Sequence, residues 1–331
     1  MNILAFETSC DETAAAVVQD GRHVLSSVVA SQTDIHGLYG GVVPELASRR
    51  HMETIVALCA LALEQARLDK HKIDALAVTH APGLIGALLV GVGFAKGVAF
   101  ALGRPLIPVH HIRGHIAACY LAHPSLKPPF AALVASGGHT LIMDVRDYTD
   151  MSVLGATRDD AAGEAFDKVA RELGLGYPGG AALEALATEG APDAFPLPRP
   201  RVEDNPLDMS FSGLKTAALN ILNQARMKDV PPDRAGLAAS FTEAVCQTLV
   251  SRTVMAIARL GYDACVLAGG VAANARLRIS LEEALGERAL YIPPASLCGD
   301  NAAMIGAQAY YEWLSGAGAD MTLNGYANLP P

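Results

Sequence analysis

The chain has 331 residues, 51% of them hydrophobic and 18% charged, with a net charge of −9 at pH 7. That length exceeds what one hydrophobic core serves, so two domains are expected, and the composition excludes a disordered or fibrous protein. The acidic balance excludes a free-standing nucleic-acid binder, whose affinity would come from Lys and Arg on phosphates, but not a nucleic-acid substrate gripped partly by another subunit.

The chain opens on an apolar strand (2–8), a turn of small polar residues and a second strand (13–19). A helix is predicted over 44–67 and a strand over 74–80. The most apolar stretch, "GLIGALLVGVGFA" at 83–95, is only 13 residues long between Pro82 and Lys96. It reads as part of a buried helix (83–101), too short to span a bilayer. Further on come a helix (110–122), strands 130–136 and 140–145, helices 161–173, 213–227 and 235–260, a strand (264–270) and helices 272–286 and 300–314. Such alternation predicts an α/β protein with helices packed on mixed sheets. "ILAFETSCDETAAAVVQDG" and "FAALVASGGHTLIMDVRD" share one strand–turn–strand layout, which suggests a duplication. The Pro-rich segments 123–129 and 195–208 are candidate linkers, the second a surface excursion.

Six scattered cysteines (Cys10, Cys59, Cys119, Cys246, Cys265, Cys298) form no C-x-x-C pair, so neither a disulfide framework nor a zinc ribbon fits. With no export signal in "MNILAFETSC", a reducing, cytoplasmic location away from membranes is expected.

Chemistry concentrates in a few places. In "VHHIRGHIAA" (109–118), His111 and His115 fall one helical turn apart, where they either share a metal ion or satisfy carbonyls in a core; His110 points elsewhere. The motif lacks the glutamate of a zinc protease. Asp300 in "SLCGDNAAMIG" is either a third ligand or the cap of the following helix. Two imidazoles and one carboxylate would leave coordination positions open, as catalytic sites do. "ASGGHT" (135–140) and "AGGVAAN" (268–274) each close a strand with paired glycines, which let N–H groups approach a phosphate; the second pair also opens a helix. "GVGFAKG" (91–97) lies inside a helix and is no dinucleotide fingerprint. Asp167 either accepts from a ribose or substrate amine or pairs with Lys168 or Arg171, and Gly179–Gly180 reads as a ligand turn or a helix stop. No P-loop, Ser-His-Asp set or reactive cysteine is present.

Taken in order, "FETSCDET", "YGGVVPELASRRH", "APGLIGALLVG", "HHIRGH", "ASGGHT", "DDAAGEAFDKVARELGLGYPGG", "SFSGLKTA", "LAGGVAAN" and "GDNAAMIG" resemble the tRNA threonylcarbamoyladenosine transferase family, whose bacterial members are called TsaD. The resemblance runs from residue 2 to about 315. It implies two duplicated actin-like, sugar-kinase-like (ASKHA) α/β domains around a central cleft: 1–122 completed by 299–331, and 123–298. It implies transfer of a threonylcarbamoyl group from threonylcarbamoyl adenylate to N6 of the adenosine following the anticodon in tRNAs reading ANN codons, with release of AMP. Carried over, His111, His115 and Asp300 are ligands of one divalent ion, Fe2+ or Zn2+. Val134, Ala135, Ser136, Gly137, Gly138, Asp167, Gly180, Glu184 and Asn274 become substrate-binding positions, and no residue is assigned as general base. ATP or ADP binding stays open. The implied partners are tRNA, an inactive paralogue subunit (TsaB-like) and a small ATPase (TsaE-like). Arg113 stands where many relatives have Glu, which questions tuning of the ligands rather than metal binding. Arg49–Arg50, "PRPR" (198–201) and Arg276 with Arg278 are candidate tRNA contacts or plain surface charges, "PRPR" the favoured one. A sugar kinase of the same fold would not need the two histidines, and a non-catalytic scaffold would have no reason to keep all three ligands.

Overall fold

The computed structural model describes residues 1–199 and 202–331. The chain divides into two compact units, one of residues 1–128, 146–151 and 293–331, the other of 129–145 and 152–292. The chain begins with β1 (Asn2–Glu7), β2 (Glu12–Gln19), β3 (His23–Ser31), α1 (Thr33–Gly37), α2 (Pro44–Gln65), β4 (Ala75–Ala81), α3 (Ile85–Leu102), β5 (Leu106–His110) and α4 (His111–Ala122). It continues with β6 (Phe130–Ala135), β7 (Thr140–Val145), β8 (Met151–Ala156), α5 (Ala162–Glu172), α6 (Gly179–Ala187), α7 (Ser212–Met227), α8 (Arg234–Leu260), β9 (Ala264–Ala268), α9 (Ala275–Leu285) and β10 (Ala289–Tyr291). Two last helices, α10 (Ala295–Cys298) and α11 (Ala302–Leu314), belong to the first unit.

The first sheet runs β3-β2-β1-β4-β5 and the second β8-β7-β6-β9-β10, the same plan twice. In each, a strand pairs antiparallel with its hairpin partner on one side and parallel with a later strand on the other. The expected α/β class and the duplication are both present.

The first unit shows why its central strands read as unbroken apolar runs. Alternate residues of β1 point to opposite faces: Ile3 and Ala5 join a core with Ile107, Val109, Ala118 and Met304, whereas Leu4 and Phe6 join one with Ile55, Leu58, Val92 and Ala95. Helices cover both faces, so no position in the strand is left for a polar residue. All four strands that the pattern did not reveal (β3, β5, β8 and β10) are sheet edges. Pro108 sits in β5, where an edge tolerates the missing N–H.

Two expectations need correction. The apolar stretch at 83–95 belongs to an 18-residue helix, α3, with mean hydropathy 2.0, long and apolar enough to cross a membrane. One face of it (Ala87, Leu88, Gly91, Val92, Ala95, Ala99) is buried. Gly179–Gly180 does not stop a helix; it begins α6 after Pro178.

α11 lies close over the first sheet because Gly306 has no side chain: a Cβ there would stand 2.7 Å from Val18 Cγ2 and 3.0 Å from Val18 Cβ. Gly306→Val is therefore expected to destabilise the protein by about 1–3 kcal/mol through overpacking. Chemical denaturation should show the midpoint lowered with an unchanged slope.

Candidate functional site

In the first unit the parallel strands β1, β4 and β5 end at one edge of the sheet. Register pairs Phe6 with Val78 and Thr79 with Val109, so Glu7, Thr79 and the start of α4 gather where the strands' carboxyl ends meet, the usual place for a site in such sheets. His110 caps α4 itself: its Nδ1 accepts from the Ile112 N–H at 3.2 Å, and its Nε2 donates to the Leu329 carbonyl at 2.9 Å. Burial pushes its pKa down to about 4, so it stays neutral.

His111 and His115 are buried one turn apart, ring centroids 4.6 Å from each other. Asp300 meets them from the turn before α11. It is not the helix cap, because Asn301 takes that role and accepts from the Met304 N–H at 2.9 Å. Asp300 Oδ1 lies 3.5 Å from His111 Nε2 and 3.2 Å from His115 Nε2, and the potential ligand atoms of the three residues lie within 4.8 Å of one another. Two atoms bound to one ion at about 2.1 Å and a tetrahedral angle stand roughly 3.4 Å apart, so the spacing fits.

Two further observations favour a cation. Neither nitrogen of buried His115 has a hydrogen-bond partner, for the 3.2 Å approach to Asp300 lacks hydrogen-bond geometry; an unsatisfied buried imidazole needs a partner of some kind. Acids also crowd the site. Burial, then the charges of Asp11 and Asp300, raise Glu12 to about 9. Burial works against charge on His111 as well, yet Asp300 and Glu7 outweigh it and hold that imidazole up at about 9. A negative field of this kind is relieved by a positive ion.

Sequence patterns did not single out Glu7, Ser9, Thr79 or Glu12. Glu7 is fully buried, with Oε2 3.0 Å from His111 Nδ1 and 2.6 Å from the Thr79 hydroxyl. The available signal was an acid ending an apolar strand; what it meets is a matter of strand register. Arg113 turns away to Glu312 at 3.0 Å.

The second unit repeats the logic at the ends of β6 and β9, paired in parallel with Val134 opposite Ala268. Val134 and Ala135 are buried at the end of β6. Ser136 closes the turn, donating its N–H to the His139 carbonyl at 2.7 Å. Gly137 and Gly138 are exposed, a Cβ on either would meet nothing within 4 Å, and no hydrogen bond among the described residues uses their N–H groups. Two other glycines permit this arrangement. A Cβ on Gly163 would stand 2.5 Å from the Ser136 carbonyl oxygen, and one on Gly269, at φ +90°, 2.4 Å from that of Ala135.

The remaining positions are linked in a chain. Asp167 on α5 accepts from the Gly179 N–H at 2.7 Å, Glu184 on α6 accepts from the Ala275 N–H at 2.6 Å, and Asn274 caps α9 through Leu277 N–H at 2.9 Å. Lys168 is engaged by Asp160 and Glu164. Gly180, next to Gly179, has open space where a Cβ would be. The glycine pair in "AGGVAAN" opens a short 3-10 turn, Gly270–Ala273, and α9 starts only after Asn274.

Of the basic elements, Arg276 is paired with Glu243 at 2.7 Å and Arg50 with Glu53 at 2.8 Å. Arg199 is exposed, and Pro200 and Arg201 of "PRPR" lie outside the described residues.

Comparison with known proteins identifies the family and the fold. The family model described as TsaD, tRNA N6-adenosine threonylcarbamoyltransferase, matches residues 23–307. A tRNA N6-adenosine threonylcarbamoyltransferase of Moorella thermoacetica is 54% identical over 99% of this chain and 97% of its own, and one of Clostridium botulinum is 52% identical with the same coverage. Among solved structures, T. kodakarensis HypF superposes with TM-score 0.65 at 15% identity, over 95% of this chain and 48% of that one. Component A of the Acidaminococcus fermentans (R)-2-hydroxyglutaryl-CoA dehydratase gives 0.55 at 16%, over 94% and 98%. These distant structures share the fold, two actin-like, sugar-kinase-like α/β domains. The chain belongs to the tRNA N6-adenosine threonylcarbamoyltransferase family, enzymes that modify tRNA by group transfer.

Proposed function

We propose that the chain moves a threonylcarbamoyl group from threonylcarbamoyl adenylate to N6 of the adenosine following the anticodon in tRNAs reading ANN codons, releasing AMP, and that His111, His115 and Asp300 hold a divalent ion, Fe2+ or Zn2+. The observation that carries the metal reading is the convergence of three potential ligands, one of them a buried imidazole with no hydrogen-bond partner among the described residues. Such an ion supplies Lewis-acid stabilisation of negative charge, worth several kcal/mol in a transition state.

The chain's own residues do the rest. The free N–H groups of Gly137 and Gly138 are suited to an oxyanion or phosphate oxygen, and one such donor typically contributes about 3 kcal/mol. Asp167, Glu184 and Asn274 are already tied to neighbouring helix starts, so they orient a nucleotide with little rearrangement. Gly180 leaves room for the ligand to lie against the first turn of α6. The same positions would serve ATP or ADP.

We further propose a cytoplasmic complex with an inactive paralogue subunit and a small ATPase. The outward face of α3 supports a protein partner: Ile85, Leu89, Gly93, Gly97 and Phe100 form one exposed stripe, and a Cβ on either glycine would meet nothing. A helix from another subunit can approach such a stripe closely.

Reconstitution with threonylcarbamoyl adenylate, unmodified tRNA and the partner proteins should yield modified adenosine and AMP in equal amounts, and less without the partners. Chelation, or His111→Ala, should abolish transfer with the circular dichroism spectrum retained; full activity in the alanine variant would end the metal reading. Gly163→Ala, by displacing the Ser136–Gly138 turn, is expected to lower kcat/KM about 10–100-fold, a loss of about 1.4–2.7 kcal/mol in the transition state. In the metal-free protein the raised pKa of His111, about 9 against an ordinary 6.5, gives stability that is complete below pH 6.5 and lost as pH rises through 9. Calorimetry in chelator should therefore show Tm falling across that window, and a flatter profile for His111→Ala.

A further inference from the structure

Which nitrogen of His111 faces Asp300 is decided by the groups on its other side. His111 Nε2 lies toward Asp300, while Nδ1 lies 3.0 Å from Glu7 Oε2 and 3.2 Å from Ser9 Oγ. Glu7 is itself held rigidly. Its Oε1 accepts from the Ser9 N–H at 2.5 Å, its Oε2 from the Thr79 hydroxyl at 2.6 Å, and it has no solvent exposure. His115 has nothing comparable, for its Nδ1 is buried without a partner.

We propose that Glu7 is the positioning residue of this metal site: its carboxylate accepts the Nδ1–H of His111, which keeps the proton off Nε2 and aims that lone pair at the space shared with His115 and Asp300. The inference rests on the reading that these three residues hold an ion. The chemistry of the surroundings leaves Glu7 little alternative. Two of the three groups facing its oxygens are donors, the Ser9 N–H and the Thr79 O–H, and the third is His111 Nδ1, which takes the donor role when it carries the ring proton. Only an ionised carboxylate accepts on both sides. An amide in its place presents an NH2 to one of these donors whichever way it is turned. Turned toward His111, it invites the other tautomer, with the proton on Nε2, where it obstructs a ligand bond. Carboxylates that hold a ligating histidine from behind in this way typically contribute 10–100-fold in metal affinity.

The test is Zn2+ binding to the whole chain, measured by competition with a chromophoric chelator. Glu7→Gln should weaken binding about 10–100-fold in protein whose circular dichroism spectrum matches the unaltered chain. Thr79→Val, which removes one support of the carboxylate and leaves Glu7 in place, should weaken it by a smaller factor. A carboxylate that serves only to satisfy the Ser9 and Thr79 donors would lower Tm in Glu7→Gln and leave the Zn2+ affinity of the folded protein within threefold, which overturns the proposal. The 15N shifts of His111 in the unaltered protein with Zn2+ decide the matter without any variant, should Glu7→Gln fail to fold. A protonated Nδ1 and a metal-bound Nε2 support it, and a metal-bound Nδ1 overturns it. Failure of the unaltered chain to bind Zn2+, or undiminished binding by His111→Ala, would instead remove the metal reading on which the inference stands.

Discussion

Parallel pairing of β1, β4 and β5 is the constraint on which the first unit's chemistry depends. Hydrogen bonding in register brings three carboxyl ends to one edge of the sheet, and with them Glu7, Thr79 and the His110–His111 junction. Since a strand's residues alternate between faces, a slip of one position in β1 would turn Glu7 from His111 into the opposite face. The two apolar cores above and below the sheet forbid that slip, because it would also exchange Phe6 for Ala5 in packed surroundings. Packing energy thus sets the position of a polar group that takes no part in the packing.

Asp300 reaches the histidines from almost two hundred residues later, carried by α11. Its freedom depends on a neighbour. A helix start needs an acceptor for its unpaired N–H groups, and Asn301 fulfils that need through the Met304 N–H. With the cap supplied by an amide, the adjacent carboxylate is left to face two imidazoles. His110 plays the corresponding part at α4, capping the helix so that His111 does not have to.

The two sites solve different electrostatic problems. In the first unit Asp11 and Asp300 stand close enough to Glu12 that their charges add to burial in raising it to about 9. That arrangement is costly alone and favourable around a cation. In the second unit the N–H groups of Gly137 and Gly138 are neutral donors, unused among the described residues, in a turn made possible by the absence of side chains on Gly163 and Gly269.

How much of this was legible beforehand follows from what each feature depends on. The central strands and long helices were readable because burial on both sides leaves an unmixed apolar run or a helical period. The edge strands were not: β3 mixes serines with valines, β5 contains Pro108, and β10 is three residues long. An edge has one neighbour, so its composition is constrained less. His111, His115 and Asp300 could be named from local strings and family resemblance, and the helical period alone put the two histidines on one face. That Asn301, not Asp300, caps α11, that Gly179 starts a helix, and that Glu7 lies behind His111 were decided only by the tertiary structure. Each depends on which of several chemically competent neighbours wins a hydrogen bond, and that choice is made by the register of strands and helices far apart in the chain.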